Sequence, residues 1–175
     1  MIAVRATEPT VAREGADALG LRPQRDADLE FLCRLYASTR EGELRHVDWT
    51  EDQKAAFLRS QFEAQWSHYR THYEDASFQV IERAGVPVGR FYLRRGPTDI
   101  RIVDLALIPE ARGLGIGTGL LTGVLNEAAA GGRSVSIHVE MFNPAMRLYE
   151  RLGFVQIGVN DVYYLMEWKP ADAVR

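Results

Sequence analysis

Residues Ile100–Leu121 read IRIVDLALIPEARGLGIGTGLL: an apolar strand, a proline, an arginine, glycines at 113, 115, 117 and 119, then an apolar helix start. That order describes an anion-binding turn. A helix opens with backbone N–H groups that have no intrahelical partner, and its macrodipole adds partial positive charge at that end. A phosphate satisfies both together. Side chains would block its approach, so Gly113, Gly115, Gly117 and Gly119 leave the backbone bare, while Arg112 adds a permanently charged, bidentate contact. Each glycine costs a helix interior about 1 kcal/mol relative to alanine, so their density here serves something local.

Spacing narrows the ligand. No Lys-Ser or Lys-Thr follows the glycines, which excludes a P-loop. The dinucleotide fingerprint Gly-x-Gly-x-x-Gly fails in both registers, because its third glycine falls on Thr118 or on Leu120. What fits is Arg-x-x-Gly-x-Gly, met by Arg112, Gly115 and Gly117 after a strand that ends at Pro109. This resembles the coenzyme A loop of the GNAT superfamily of N-acyltransferases.

The chain on both sides agrees with that resemblance. Downstream, Leu120, Leu121, Val124, Leu125, Ala128 and Ala129 recur near a 3.6-residue period and stop at Gly131-Gly132. SVSIHVEM, Ser134 to Met141, is a strand, and strand–helix–strand here makes a parallel crossover. Asn143 and Pro144 fit the N-cap and first position of a short helix carrying Ala145, Leu148, Tyr149 and Leu152 and stopping at Gly153. FVQIGV and VYYLMEW close the domain as a hairpin around Asn160-Asp161. The segment NPAMRLYERLGF looks like a second element of the same superfamily, Asn-x-Ala-x-x-Leu-Tyr-x-x-Leu-Gly-Phe, met in full by Asn143, Ala145, Leu148, Tyr149, Leu152, Gly153 and Phe154.

Upstream, LGLRP from Leu19 reads as a first strand, followed by a helix capped by Asp26 or Asp28, presenting Leu29, Leu32, Cys33 and Tyr36 and ending at Arg40 to Gly42. Thr50 and Gln53 form a capping-box pattern for a second helix. Its stripe of Leu58, Phe62, Trp66, Tyr69 and Tyr73 reads as core packing. Strands then run from Ser77, turn at Ala84-Gly85, return as VPVGRFYLRR, turn at Gly96-Pro97, and continue from Ile100 to Ile108. The resemblance implies an α+β fold, a mixed and mostly antiparallel sheet with helices on both faces. It spans 19–168 as one domain, with a tail of little pattern at 1–18 and a short one at 169–175.

Composition sets the outer bounds. With 175 residues, 46% of them hydrophobic, the chain supports one domain with a core. A net charge of -3 leaves no basic field for a nucleic-acid backbone. No apolar run approaches the ~20 residues of a membrane helix, and no signal-peptide succession opens the chain, so the expected location is cytoplasmic. Cys33, the only cysteine, sits at helical spacing among apolar residues and reads as a buried thiol. His68 and His72 have metal-ligand spacing, but Tyr69 stands where a zinc peptidase needs Glu, so no metal site is assigned. A homodimer is a candidate assembly on general grounds of symmetry.

The resemblance implies acyl transfer from acetyl-CoA to a primary amine of a small molecule or protein. It implies that the backbone of Leu105, Ala106 and Leu107 pairs with the pantetheine arm, and that the pyrophosphate sits on Arg112, Gly113, Leu114, Gly115, Ile116, Gly117 and Thr118. A backbone N–H near Leu107 would steady the oxyanion. Tyr149 is the candidate acid for the departing thiolate, and Asn143 caps its helix and is a candidate cofactor contact. The base is open: the position some relatives fill with Glu falls near Arg101, which cannot serve. Asp104 is the candidate catalytic carboxylate, although strand alternation leaves its facing undecided and a bulge would change it. His138, Glu140 and a water chain are the alternatives. Glu41, Glu43, Asp48, Glu51 and Asp52, set against Arg40, Arg45 and His46, suggest a mildly acidic mouth for a cationic small-molecule amine; the alternative is that Glu51 and Asp52 only complement the dipole of the second helix. The rival reading is a non-catalytic acyl-CoA-binding module.

Overall fold

The structure, a computed structural model, describes residues 18–171; the expected tails at 1–18 and 169–175 fall mostly outside the described residues. Its strands are β1 (Leu19–Pro23), β2 (Ser77–Arg83), β3 (Val86–Arg95), β4 (Asp99–Leu107), β5 (Ser134–Glu140), β6 (Val155–Asn160) and β7 (Tyr163–Trp168). Helices α1 (Leu29–Leu44) and α2 (Glu51–His72) follow β1, α3 (Ile116–Ala130) links β4 to β5, and α4 (Met146–Arg151) links β5 to β6. One seven-stranded sheet results, in the order β1-β2-β3-β4-β5-β7-β6. Every neighbouring pair is antiparallel except β4 and β5, the pair joined by the α3 crossover.

Strand alternation sorts side chains onto two helical layers. One face carries Phe91, Leu93, Ile100, Ile102, Val135, Ile137 and Val139, which pack with Ile116, Leu120, Leu121, Val124 and Ala128 of α3 and with Tyr149 of α4. The other face packs Ala106 against a second cluster in which Leu32, Cys33, Leu35 and Tyr36 of α1 meet Phe62 of α2. The Thr50–Gln53 capping box is formed, with the Gln53 N–H donating to Thr50 Oγ1 at 3.2 Å and the Thr50 N–H donating to Gln53 Oε1 at 2.9 Å. Ala84 and Gly85 both have positive φ, the turn geometry that matches the twist of a tight hairpin.

Four local expectations change. Helix α1 continues to Leu44, beyond Arg40–Gly42. Asp28 does not cap it: its carboxylate accepts from Arg22 Nη1 and Nη2 at 2.7 and 2.8 Å and from the Arg25 N–H at 2.8 Å, closing the turn before the helix. Helix α3 opens at Ile116, so Gly117 and Gly119 lie in its first turn instead of in the loop. Helix α4 opens at Met146, because Asn143 closes a turn of its own, its Oδ1 accepting from the Ala145 N–H at 2.9 Å and its carbonyl from the Met146 N–H at 3.0 Å.

Two irregularities shape the middle of the sheet. Tyr92 faces Asp104 but Leu93 faces Ile102, so Val103 is an extra, bulged residue in β4. Close by, Gly89 of β3 admits no side chain: a Cβ would lie 2.4 Å from the Ala106 carbonyl and 2.7 Å from Leu107 Cδ2. Gly89→Ala should therefore push β3 away from β4 and destabilise the protein by about 1–3 kcal/mol, the usual cost of overpacking. Gly20→Ala, whose Cβ meets nothing within 4 Å, should move the urea midpoint by less than about 0.5 kcal/mol equivalent. Equal midpoints for the two variants would contradict the close approach.

Candidate active site

The site begins where β4 and β5 part. They pair only from Asp99 with Ser134 to Ile102 with Ile137, after which the bulge at Val103 turns β4 away. The edge of Val103–Leu107 that faces β5 thus has no strand beside it, and a cavity of about 570 Å³ opens between this edge, the end of β5 and the helices α1 and α2. Leu105, Ala106, Asp104, Asn143 and Tyr149 all line it.

At the far end of β4 the chain passes through a short turn, Pro109–Ala111, into the glycine loop. Gly113 has φ 74° and Gly115 φ 80°, the left-handed region in which two side chains would be strained. Gly115 is also the N-cap of α3, and it has no side chain with which to cap. The first N–H groups of the helix, at Ile116, Gly117 and Thr118, are left for an outside acceptor. Leu114 and Arg112 are exposed at the rim. The Arg112 guanidinium folds back, its Nε donating to the Leu107 carbonyl at 2.9 Å and its Nη2 to Ser38 Oγ at 3.2 Å. Arg112 therefore ties the glycine loop to the strand and to α1.

The bulge also settles the direction of Asp104. Ile100 and Ile102 point into the α3 layer; unbroken alternation would send residue 104 after them. With Val103 inserted, Leu105 and Leu107 take that face and Asp104 turns toward α2. There its Oδ2 meets Arg90 Nη2 at 2.6 Å and accepts the Tyr69 hydroxyl at 2.8 Å. Arg90 is almost wholly buried, donates to Gln65 Oε1 at 2.8 Å, and keeps an Nε without a partner. Burial, and after it the charge of Asp104, push the Tyr69 phenol well above its ordinary pKa.

Tyr149 sits at 5% exposure on α4, its ring edge-on to Phe154 at 5.6 Å. Burial raises its phenol well above 10, with Asp104 adding to the rise, so it stays protonated through the neutral range. The remaining candidates are engaged. Glu140 pairs with Arg40 of α1 at 2.7 Å. His138 accepts through Nδ1 from Arg101, and lost hydration followed by that guanidinium hold it below its ordinary pKa, hence neutral at pH 7.

Arg90, Tyr69, Arg101 and Arg40 are the site residues that sequence reasoning missed. Tyr69 was in view but assigned to the core; its stripe is core at Phe62 and becomes cavity wall at Tyr69 and Tyr73. For Arg90 the signal was present, a charged residue alternating with Phe91 and Leu93 in an otherwise buried strand. The expected acidic mouth is not at this cavity. Glu43 is taken by Arg40 and Glu51 by Lys54, and Glu41 and Glu51 line a separate groove of about 930 Å³ between α1 and α2, while only Arg40 of that stretch reaches the site. His68 and His72 stack at 4.1 Å, and no cluster of metal-ligating side chains occurs among the described residues. Nor, among them, is any helix long and apolar enough to cross a membrane.

Comparison with known proteins agrees with this geometry. The PaiA N-acetyltransferase of Thermoplasma acidophilum, solved in complex with coenzyme A, superposes with a TM-score of 0.65 at 18% identity over 87% of this chain and 99% of its own. The structure titled histone acetyltransferase HPA2 and related acetyltransferase, from Corynebacterium glutamicum, gives 0.61 at 22% identity over 90% and 99%. An acetyltransferase of Thermus thermophilus gives 0.60 at 18% over 86% and 96%. No curated protein matches in sequence. Residues 40–154 match the acetyltransferase (GNAT) family along their whole run, and the chain belongs to that family.

Proposed function

We propose that this protein is an acetyl-CoA-dependent N-acetyltransferase that moves an acetyl group to a primary amine by direct attack. The observation that carries the reading is the parting of β4 from β5 over a cavity lined by a protonated, buried Tyr149, with the uncapped start of α3 following the end of β4. The pantetheine arm would lie along Leu105, Ala106 and Leu107 as an added strand. Its pyrophosphate would take the N–H groups of the loop from Gly113 to Thr118, with Arg112 released from Leu107 to reach it and Asn143 beside the thioester end.

In the reaction the acceptor, having lost a proton, attacks the thioester carbonyl and forms a new C–N bond. Collapse of the tetrahedral intermediate breaks the C–S bond, the electron pair leaves on sulfur, Tyr149 gives its proton there, and the second proton that the new amide nitrogen sheds restores the Tyr149 phenol. Its raised pKa keeps that proton available at any pH at which the enzyme works. Asp104 holds the arriving ammonium at the bulge and draws its proton into the cavity. Because its Oδ2 already serves Arg90 and Tyr69, water carries that proton out.

Thiol release from acetyl-CoA over polyamines, amino acids, aminoglycosides and peptides tests the reading; tight cofactor binding with no turnover on any of them would favour the binding module instead. Tyr149→Phe should lower turnover by roughly 10²–10⁴-fold, the range of general acid–base catalysis, with acetyl-CoA affinity kept. The wild-type rate should show no alkaline decline from Tyr149 up to about pH 10, since its pKa is displaced upward from that ordinary value. In calorimetry, Gly115→Ala should weaken coenzyme A at least about tenfold, because a Cβ at positive φ disturbs the uncapped turn. Gly123→Ala, open and mid-helix, should not weaken it.

A further inference from the structure

The cavity is lined by three guanidinium groups, Arg40, Arg90 and Arg101, against two carboxylates, Asp104 and Glu140. Each carboxylate answers one of the other two guanidinium groups, Asp104 through Oδ2 alone. Asp104 neutralises Arg90 at 2.6 Å, and Glu140 neutralises Arg40, which also holds Glu43 at 2.8 Å. Arg101 is the remainder. It is half-buried on β4, where Nη1 donates to Ser136 Oγ at 3.3 Å and Nη2 to His138 Nδ1. Both partners are neutral, and among the described residues no carboxylate forms an ion pair with it.

An arginine drawn out of water without an anion carries an unrepaid desolvation cost. Burial outweighs the opposing pull of Tyr73, which also hydrogen-bonds this guanidinium, and of Asp99, and lowers the pKa of Arg101. The fork geometry of a guanidinium suits a planar carboxylate. The cofactor's phosphates are not that anion: Arg101 and Leu107 are six residues apart on β4, about 20 Å at ~3.3 Å per residue, and the glycine loop lies beyond Leu107. Asp104 lies on the same face, one bulge away, so an ammonium and a carboxylate on one small molecule find opposite charges side by side.

We propose that Arg101 is a specificity-determining residue that binds a carboxylate on the acceptor, so that the preferred substrate is a primary amine that also carries a carboxylate, as amino acids do. The inference rests on the transferase reading for its substrate but not for its charge recognition. It reverses the expectation of a purely cationic amine.

The test compares L-amino acids with the amines that differ from them only in lacking the carboxylate, such as phenylalanine with phenethylamine and lysine with cadaverine. The full chain and saturating acetyl-CoA are used. The carboxylate member of each pair should show a kcat/KM at least about tenfold higher, the lower end of what a hydrogen bond to a charged group contributes. Arg101→Gln should collapse that ratio through KM, and Arg101→Lys should restore part of it. Equal kcat/KM within the pairs, or a preference that survives Arg101→Gln, would overturn the inference and leave the transferase reading standing. If neither series is acetylated, that reading fails. Calorimetric titration of the coenzyme A complex with N-acetylphenylalanine and N-acetylphenethylamine then decides the inference alone: tighter binding of the acid supports it, and equal affinity overturns it.

Discussion

The parting of β4 from β5 is the constraint on which the site depends. A parallel pair that continued past Ile102 and Ile137 would close the sheet and bury the backbone of Val103–Leu107 in an ordinary ladder. It ends because Val103 is one residue too many for β3 opposite. The same insertion reverses the facing of everything after it, so that Leu105 and Leu107 pack under α3 while Asp104 reaches α2. One extra residue thus opens a strand edge and delivers a carboxylate to the opening. Gly89 fixes the place, since β3 can follow the displaced strand only where a missing side chain lets it come within contact of the Ala106 carbonyl.

The charge delivered there is expensive to bury, and the surroundings answer it pair by pair. Arg90 and Asp104 at 2.6 Å offset each other, with Tyr69 and Gln65 supplying hydrogen bonds to the two partners. Aromatic rings stand close by: Tyr69 meets Tyr92 edge-on at 5.9 Å, and Arg90 lies over the Tyr92 ring at 5.5 Å. The consequence is a polar cavity floor in which the buried charges are held in contact with one another and backed by hydrogen bonds and aromatic rings. It explains why α2 changes character along its length, from Phe62 packed on α1 to Tyr69 and Tyr73 facing the cavity.

The order of elements was legible because it rests on local signals: the glycines after an apolar strand, the Thr50–Gln53 box, the 3.6-residue period of α3, the Gly131-Gly132 stop. The glycine turn leading into α3 was legible for the same reason. The inner face of the cavity was not, because a bulge has no local signature. Whether Val103 is paired or extra depends on the register of β3, and register is a property of two strands. Asp104 was therefore found by type and left without a direction. Arg90 was passed over as an arginine on a strand, ordinarily solvated, and Arg101 was weighed only as a base; the helices packed over that face are what make both of them cavity wall. Carboxylates near the α1–α2 connection misled in the opposite sense, since their count was right and their partners, Arg40 and Lys54, were on their own helices.

The glycine loop adds a last consideration, about stability. A helix beginning at Gly115 forgoes the side-chain cap that Ser, Thr, Asp or Asn would provide, typically ~1 kcal/mol, and Gly117 and Gly119 weaken its first turn further. Such an end would fray if the helix stood alone. It is held from its other side: Ile116, Leu120, Leu121, Val124, Leu125 and Ala128 are buried in the main core, and at the far end Gly131 and Gly132 close the helix with backbone bonds to Glu127, Ala128 and Ala129. Each fully buried aliphatic side chain contributes about 1.5–3 kcal/mol, so two or three of them outweigh everything the glycines forgo. The apolar face of α3 thus permits a helix start with no cap of its own, and that vacancy in the capping pattern is what a phosphate can fill.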